Sequence, residues 1–377
     1  MKKLRIILLV LILLVCLIPT SLISTSQLKV EAAPSYKGMC VLANDNKVLY
    51  EYNKDVKLPM ASTTKIITAI VTLENCDDLD KLITVADESV GIEGTSIYLR
   101  KNEQISIRNL LYGLILASGN DAATALAYEI GGSEEKFVEM MNDFVKRLGL
   151  TNTQLKNPHG LDADGHYTSA YDLAAITNYA LNNETFLEIV STKTKVLNEG
   201  EPNVRYLRNK NKLLFSEEGC IGVKTGFTDN AGRCLVNACE RDGMRVVSVV
   251  LNCGPMFEEC DRLNNLAFNE YELKTFVEPY GFVGNVNVVD GDKNEISVAT
   301  IKGFNTVIKK SEAENYRVEF DVTESVTAPI SKSDKIGKVT VFYKDEIIYE
   351  DSVYSTSEIE NINLKHKIDN IMENWYL

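Results

Sequence analysis

The sequence is poor in the residues that bind metals through short motifs. Its 377 residues include only three histidines, and neither H-E-x-x-H nor paired C-x-x-C motifs occur. We therefore expect no metal and no other cofactor. The sequence also lacks a block of basic residues, and its formal net charge is −13. This composition argues against a nucleic-acid partner.

Long apolar runs are scarce, and the N-terminal run has the features of a signal peptide. Three basic residues within the first five positions precede an unbroken apolar stretch over residues 6–18, and Val30-Glu31-Ala32 forms a small-x-small cleavage motif. An uncleaved anchor is the alternative, but the stretch is shorter than a bilayer span requires. We expect residues 1–32 to be removed and the mature protein to be secreted.

Cysteines are few and do not suggest a disulfide framework. Seven of the eight lie beyond the predicted signal peptide, an odd number that cannot pair completely. We interpret them as buried free thiols that act as small hydrophobic side chains.

A serine and a lysine share one face of a predicted helix. Pro59 precedes the pattern Ser62-x-x-Lys65, and apolar residues follow it, which is typical of a helix start. Residues three apart on a helix are neighbours, so the hydroxyl and the amine can meet. A lysine kept neutral by burial or by a second cation can act as the base that activates a serine. Alone, this pattern more often marks a capped amphipathic helix with a solvated lysine.

Two more short motifs follow in regions of defined predicted structure. Ser118-Gly119-Asn120 falls in a tight turn between two apolar helices, where polar groups must be hydrogen-bonded. Lys224-Thr225-Gly226 falls on a predicted strand, next to a predicted hairpin over residues 233–252. Each tripeptide alone is equally consistent with ordinary capping or a turn.

The order and spacing of these three motifs match the S-x-x-K, S-x-N and K-T-G set of penicillin-recognising serine enzymes. The chain resembles the low-molecular-mass penicillin-binding proteins, which are serine-type D-alanyl-D-alanine carboxypeptidases. The likeness covers essentially everything after the signal peptide and includes the loop Asn157-Pro158-His159-Gly160-Leu161. It implies a secreted enzyme at the outer face of the cytoplasmic membrane, or in the cell wall.

The resemblance also implies a domain organisation. An α/β transpeptidase domain of the penicillin-binding-protein and β-lactamase type, with an antiparallel sheet flanked by an α-helical cluster, is expected over residues 33–278. A small all-β domain is expected over residues 279–354. An amphipathic helix is expected over residues 355–377, where apolar residues recur on one face and an aromatic pair lies at the end. This helix either associates peripherally with a membrane or packs on its own domain or a partner.

The resemblance assigns catalytic roles to four side chains. Ser62 is expected to attack the carbonyl of the penultimate D-alanine of a peptidoglycan stem peptide. Lys65 is expected to act as general base, and Ser118 to relay the proton to the leaving amine. Asn120 is expected to orient Lys65 and to hold the substrate amide. The same serine is expected to be acylated by β-lactam antibiotics.

The strand motif is expected to bind the substrate. Lys224 and Thr225, with Gly226 beside them, are assigned to the terminal carboxylate, which needs a positive charge and a fixed donor. The backbone N–H groups of Ser62 and Phe227 are assigned to the oxyanion hole. Phe227 departs from relatives that have a polar residue there, although a backbone role survives the change.

Three alternatives remain open from the sequence. A β-lactamase shares the fold, but the E-x-x-L-N pattern of class A enzymes is missing. A penicillin-binding sensor or structural protein would acylate and turn over slowly. Endopeptidase activity on cross-links would use the same chemistry.

Overall fold

The computed structural model describes residues 34–200 and 202–362, together with residue 372. The predicted signal peptide lies outside these residues. From Tyr36 onward the described chain forms one folding unit. No helix in the described ranges has the length and apolar character needed to cross a membrane.

The described strands and helices agree with most of the predicted elements. In chain order the strands are β1 (Gly38–Ala43), β2 (Val48–Tyr52), β3 (Leu82–Thr84), β4 (Gln104–Ser106), β5 (Thr194–Leu197), β6 (Arg205–Arg208), β7 (Cys220–Thr228), β8 (Gly232–Arg241), β9 (Met244–Leu251), β10 (Tyr271–Val277), β11 (Phe282–Val289), β12 (Glu295–Ala299), β13 (Phe304–Lys309), β14 (Tyr316–Val322), β15 (Ser325–Thr327), β16 (Lys335–Tyr343) and β17 (Glu346–Ser355). The α-helices are α1 (Lys65–Glu74), α2 (Ile107–Tyr112), α3 (Asn120–Gly131), α4 (Glu134–Arg147), α5 (Ala170–Ala180), α6 (Glu184–Ser191) and α7 (Met256–Glu270).

An antiparallel sheet with the strand order β2-β1-β9-β8-β7 separates two hydrophobic cores. Successive side chains of a strand point to opposite faces. Along β8, Val236 and Ala238 therefore face the helical cluster, whereas Leu235 packs on the side of α7. The order leaves β7 at an edge of the sheet, among the described strands.

Side-chain caps begin several helices of the catalytic domain. The sequence predicts that Ser106 caps the helix that follows it. Its hydroxyl accepts a hydrogen bond from the backbone N–H of Asn109 at 3.1 Å, which confirms this cap of α2. Ser133 and Ser169 cap α4 and α5 in the same way. Each cap satisfies a backbone donor that the helix itself leaves unpaired. Serine therefore caps three of the seven described α-helices.

The last helix of this domain is shorter than predicted. The sequence predicts a helix to about residue 276, but α7 ends at Glu270 and β10 follows directly. In β10, Tyr271 and Leu273 alternate with polar residues, and this period of two fits a strand. The strand is held by antiparallel pairing with β13, far along the sequence.

The C-terminal part is all-β, as expected. Its larger sheet has the order β14-β16-β17-β12-β11-β15 over its own core of buried valines and isoleucines. Val307 of β13 instead packs into the core on the α7 side of the first sheet. The Nζ atom of Lys310 donates to the carbonyl of Phe268 at 2.8 Å, which adds a polar contact between the two domains.

The predicted C-terminal helix is wrong for its first described residues. Residues 357–362 are not helical, since Ile359 forms a bridge with Ile330 and Asn361 forms one with Gly291. Burial of Ile359 in the β-domain core favours this extended path. The rest of the predicted helix lies outside the described residues, apart from residue 372.

Candidate active site

Ser62 lies in a tight turn that leads into α1. Residues Ala61–Thr64 form a 3-10 turn, in which the hydroxyls of Thr63 and Thr64 donate to the carbonyls of Met60 and Ala61 at 2.6 and 2.9 Å. Ala61 itself has a φ of +49°, a conformation rare for residues with a side chain. The turn thereby holds Ser62 at the surface of a pocket, one turn before Lys65.

Three oxygen atoms surround the buried amine of Lys65. Its Nζ atom lies 2.9 Å from Ser62 Oγ, 2.7 Å from Asn120 Oδ1 and 2.5 Å from the carbonyl oxygen of His159. A neutral amine has two N–H groups and one lone pair. Since Asn120 Oδ1 and the carbonyl of His159 can only accept, they take both N–H groups. The lone pair then points at the hydroxyl of Ser62.

The surroundings of Lys65 favour its neutral form. Burial lowers the pKa of Lys65 well below its usual range, and the charges of Lys224 and Lys210 lower it further. Burial also lowers the pKa of Lys224 to about 7, with a further contribution from the charge of Lys210. Lys65 can therefore act as a base near neutral pH, while Lys224 still holds its proton in part of the molecules.

Ser118 connects the second motif to the strand motif. The π-helix Gly113–Ala117 precedes it, and Ser118 adopts a left-handed conformation with a φ of +65°. This backbone turns its hydroxyl to within 2.9 Å of Lys224 Nζ, which donates to it. Asn120 is fixed because its Nδ2 donates to the carbonyl of Glu93 at 2.6 Å, leaving Oδ1 for Lys65.

The edge strand β7 runs close to the turn that carries Ser62. A Cβ atom added at Gly226 would lie 3.0 Å from the carbonyl of Met60 and 3.2 Å from the backbone nitrogen of Ser62. Only glycine permits this approach without displacing the turn. The ring of Phe227 is 62% exposed beside the pocket, so the motif ends on an apolar surface.

A cavity of about 560 Å³ opens over these residues. Its lining includes six of the eight predicted site residues, namely Ser62, Ser118, Asn120, Thr225, Gly226 and Phe227. Lys65 and Lys224 are buried, and their amines contact lining residues. Lys210, Lys212 and Arg233 give the rim a positive charge that suits an anionic substrate.

Several supporting residues are not evident from the sequence. The loop over residues 157–161 supplies a backbone carbonyl from His159 to Lys65, and Asn157 Oδ1 holds the loop by accepting from Gly160 N at 2.7 Å. Asp121 is buried, and its carboxylate accepts from the backbone N–H groups of Ile97 and Leu99 at 3.0 and 2.9 Å. In the sequence, Asp121 looks like an ordinary acidic residue in the first turn of a helix, so no signal there indicates this anchoring.

Fold and site together define a serine enzyme of the penicillin-recognising class. Residues 24–254 match the family described as D-alanyl-D-alanine carboxypeptidase, and residues 271–361 match penicillin-binding protein 5, C-terminal domain. The chain therefore belongs to the D-alanyl-D-alanine carboxypeptidase family, and the family predicted from the three motifs is confirmed.

Individual relatives agree with this assignment along most of the chain. D-alanyl-D-alanine carboxypeptidase DacF of Bacillus subtilis (strain 168) is 31% identical over 360 residues, covering 93% of this chain and 92% of that protein. DacC of Escherichia coli (strain K12), also a D-alanyl-D-alanine carboxypeptidase, is 33% identical, covering 78% of this chain and 76% of its own. The crystal structure of penicillin binding protein 5 from Haemophilus influenzae superposes with a TM-score of 0.68 at 27% identity, covering 87% of this chain and 98% of that one.

Proposed function

We propose that this protein is a serine-type D-alanyl-D-alanine carboxypeptidase that removes the terminal D-alanine from peptidoglycan stem pentapeptides. Family membership supports the reaction class. The observation that carries the proposal is the buried amine of Lys65, whose other two oxygen neighbours leave its lone pair for Ser62 Oγ at 2.9 Å. Trimming stems to tetrapeptides in this way limits later cross-linking.

Acylation begins with the proton of Ser62. The Ser62 hydroxyl passes its proton to Lys65 as Oγ bonds to the carbonyl carbon of the penultimate D-alanine. Negative charge then develops on the carbonyl oxygen, which the backbone N–H groups of Ser62 and Phe227 stabilise. These two groups lie on the turn and on the edge strand that Gly226 allows to approach each other.

The substrate carboxylate binds at the strand motif. Thr225 lines the cavity, and the ammonium of Lys224 lies 2.9 Å from Ser118 Oγ and 2.8 Å from the carbonyl oxygen of Thr225. A charged donor and a hydroxyl together select a C-terminal carboxylate over an internal peptide bond. This selection favours the carboxypeptidase over the endopeptidase reaction.

The leaving amine receives its proton through Ser118. The proton taken from Ser62 moves from Lys65 to the leaving nitrogen by way of the Ser118 hydroxyl as the carbon–nitrogen bond breaks. Free D-alanine departs and leaves an ester on Ser62. Water then attacks the ester carbon as Lys65 accepts a proton from it. The bond between this carbon and Ser62 Oγ breaks, Lys65 returns the proton to Oγ, and the tetrapeptide leaves the free enzyme. A β-lactam follows the same first step and remains attached as the ester.

The cellular location follows from the substrate. Stem peptides are found outside the cytoplasmic membrane, so we place the mature enzyme at its outer face or in the wall. The N-terminal sequence pattern supports secretion. Peripheral membrane association through the C-terminal residues remains part of this proposal, on the strength of their apolar and aromatic pattern alone.

The testing experiment follows D-alanine release from a stem pentapeptide by the mature protein, alongside its Ser62→Ala and Lys65→Ala variants. The wild type is expected to release D-alanine steadily, and Ser62→Ala to release none and to lose covalent β-lactam labelling. Lys65→Ala is expected to label roughly 10²–10⁴ times more slowly because the general base is missing.

Three outcomes argue against the proposal. Persistent labelling of Ser62→Ala would place the nucleophile elsewhere. Rapid acylation of the wild type by a β-lactam without D-alanine release would favour the slow-turnover sensor, and steady β-lactam hydrolysis would favour the β-lactamase. Circular dichroism of each variant checks that the loss of activity is not unfolding.

A further inference from the structure

A second group of reactive side chains lies on the α7 side of the first sheet, away from the serine. Glu217, Cys220 and Cys239 each offer one ligand atom, and these atoms all lie within 4.8 Å of one another. Cys220 and Cys239 are directly opposite across the β7–β8 pair. The side chain of Glu217 is only 2% exposed, so its carboxylate is almost fully removed from water.

A fixed amide points hydrogen-bond donors at this group. The backbone N–H of Leu213 donates to Asn211 Oδ1 at 3.1 Å, so Asn211 Nδ2 faces Asn237 Oδ1 at 2.8 Å. The Nδ2 atom of Asn237 must then face the other way. It donates to Glu217 Oε2 at 3.0 Å and to Cys239 Sγ at 3.4 Å, while the thiol of Cys220 donates to Asn237 Oδ1 at 3.3 Å, a hydrogen bond that metal binding would replace. Donors aimed at a carboxylate and a sulfur are the outer partners that metal ligands typically have.

Asn264 of α7 is a further polar neighbour, and it has an unsatisfied oxygen. This residue is fully buried, and its Nδ2 lies 2.9 Å from Glu217 Oε1 and 3.4 Å from Cys239 Sγ. Its Oδ1 has no hydrogen-bond partner among the described residues. A buried, unpaired amide oxygen is unfavourable. A half-turn of the amide would bring this oxygen to the carboxylate and the sulfur, where a cation would stabilise it.

We propose that Glu217, Cys220, Cys239 and Asn264 bind a zinc ion. Two thiolates, a carboxylate and an amide oxygen give four ligands, and thiolate sulfur selects zinc over magnesium or calcium. Each thiol releases its proton to solvent on binding. The two thiolates and the carboxylate carry three negative charges, and the zinc ion carries two positive charges. The guanidinium of Arg241, whose Nη2 lies 3.9 Å from Glu217 Oε1, offsets the remaining negative charge.

The site departs from the sequence-based expectation of no metal because its ligands come from separate elements. Glu217 precedes β7, Cys220 and Cys239 lie on paired strands, and Asn264 lies on α7. Zinc would link the start of β7, the strand that carries Lys224, to β8 and α7. It therefore has a structural role behind the active site and takes no part in the acyl transfer.

The test measures zinc in the full mature protein purified with reducing agent and then dialysed against buffered zinc. We expect about one zinc per chain by elemental analysis, and thiolate-to-metal charge-transfer absorption when cobalt is substituted. Cys239→Ser and Glu217→Gln are each expected to weaken zinc binding at least about tenfold. Cys234→Ser, a buried cysteine on the opposite face of β8, is the matched control and is expected to retain zinc.

Each outcome of this test either supports or overturns the zinc proposal. Wild-type protein that binds no zinc while it still acylates with a β-lactam overturns the proposal, because the fold is then intact without the ion. Zinc retained equally by all three variants places the metal elsewhere and also overturns it. A Cys220–Cys239 disulfide that forms in the presence of zinc, detected by mass spectrometry, assigns the pair to redox chemistry instead. The zinc proposal is supported if a chelator lowers the thermal unfolding temperature of the wild type and of the control but not that of Cys239→Ser.

Discussion

Two buried lysines share this active site, and the oxygens within hydrogen-bond reach of them are uncharged. Lys65 contacts a hydroxyl, an amide and a carbonyl, and Lys224 contacts the hydroxyl of Ser118 and the carbonyl of Thr225. Since neither amine pairs with a carboxylate of the described residues, burial keeps the pKa of both amines low. The charge of Lys210 on the pocket rim adds to this effect and makes the site sensitive to pH.

The Lys210→Gln variant is expected to shift the pH profile of kcat/KM to higher pH. Activity needs Lys65 neutral and Lys224 protonated, so the wild-type profile falls on the alkaline side as Lys224, with a pKa of about 7, loses its proton. Removing the charge of Lys210 raises the pKa of both lysines, and both limbs move upward. The measurement is kcat/KM for a peptide ending in D-Ala-D-Ala across neutral pH.

Lys212→Gln provides the control for this prediction. Lys212 lines the same cavity, but its charge is not among the causes of either shift. Its profile should coincide with that of the wild type. An unmoved profile in Lys210→Gln would show that this charge does not govern the two amines.

For individual residues, the sequence predicted which side chains lie together at the site but not the residues that hold them in place. The fold brings the three motifs to one cavity, because the contacts of Lys65 with Asn120 and of Lys224 with Ser118 join them. The carbonyl of His159 could not be predicted because any residue supplies a carbonyl. The role of Asp121 could not be predicted either, because its carboxylate accepts from backbone N–H groups of a distant loop, and almost any residue supplies such a group.

Among the structural elements, the loop over residues 157–161 and the turn that carries Ser62 fit together most closely. Gly160 has a φ of +91°, and a Cβ atom added to it would lie 2.0 Å from the carbonyl oxygen of Ala61. The loop cannot take a larger residue there without moving away from the turn. The position of the His159 carbonyl, and hence of Lys65, depends on this contact.

Gly160→Ala is expected to lower both stability and acylation. The backbone strain and the clash together should reduce the free energy of unfolding by roughly 2–4 kcal/mol. Penicillin labelling should slow more than tenfold, on the order of the effect of a misplaced catalytic group. Urea unfolding and a labelling time course measure the two effects.

Gly149→Ala is the control that separates the cost of backbone strain from the cost of the steric clash. Gly149 also has a positive φ, +72°, but no atom of the residues that the structure describes lies within 4 Å of the added Cβ. Its cost should be about 1–2 kcal/mol, with labelling unchanged. Equal losses in the two variants would mean that the contact with Ala61 has no influence of its own.

Elements with strong local patterns were predicted well, and those set by distant pairing were not. The hairpin β1–β2 and the cap of α2 follow from turn residues and from Ser106. The pair β5–β6 was missed, because both strands are short and mostly exposed. The end of α7 was also misplaced, since β10 is stabilised by β13 and not by its neighbours in sequence.

For the molecule as a whole, two buried histidines link stability to pH. The backbone N–H of Lys156 donates to His166 Nδ1 at 3.0 Å, and His166 Nε2 lies 2.8 Å from the hydroxyl of Thr64. The backbone N–H of Leu161 donates to His159 Nδ1 at 3.2 Å. A second proton on either ring would oppose these donors. Burial lowers the pKa of His159 to about 3 and that of His166 to about 4.

The protein is expected to lose stability as the pH falls from about 6.5 to about 4. In this window the unfolded chain binds protons at both histidines and the folded chain does not, so acid favours unfolding. Each histidine contributes on the order of 3 kcal/mol at the acidic end. Urea unfolding at a series of pH values measures the effect, and His166→Gln should make the dependence shallower. Equal slopes in both proteins would contradict this origin.

The hydrogen bonds that assemble the catalytic groups join distant parts of the chain. Lys65 meets Asn120 and His159 across 55 and 94 residues, and Lys224 meets Ser118 across 106. Contacts between remote segments close slowly during folding. Because a β-lactam acylates only a completed site, its covalent capture during refolding counts the molecules that have closed all of these loops. The antibiotic thus serves as a kinetic probe of how the first domain assembles.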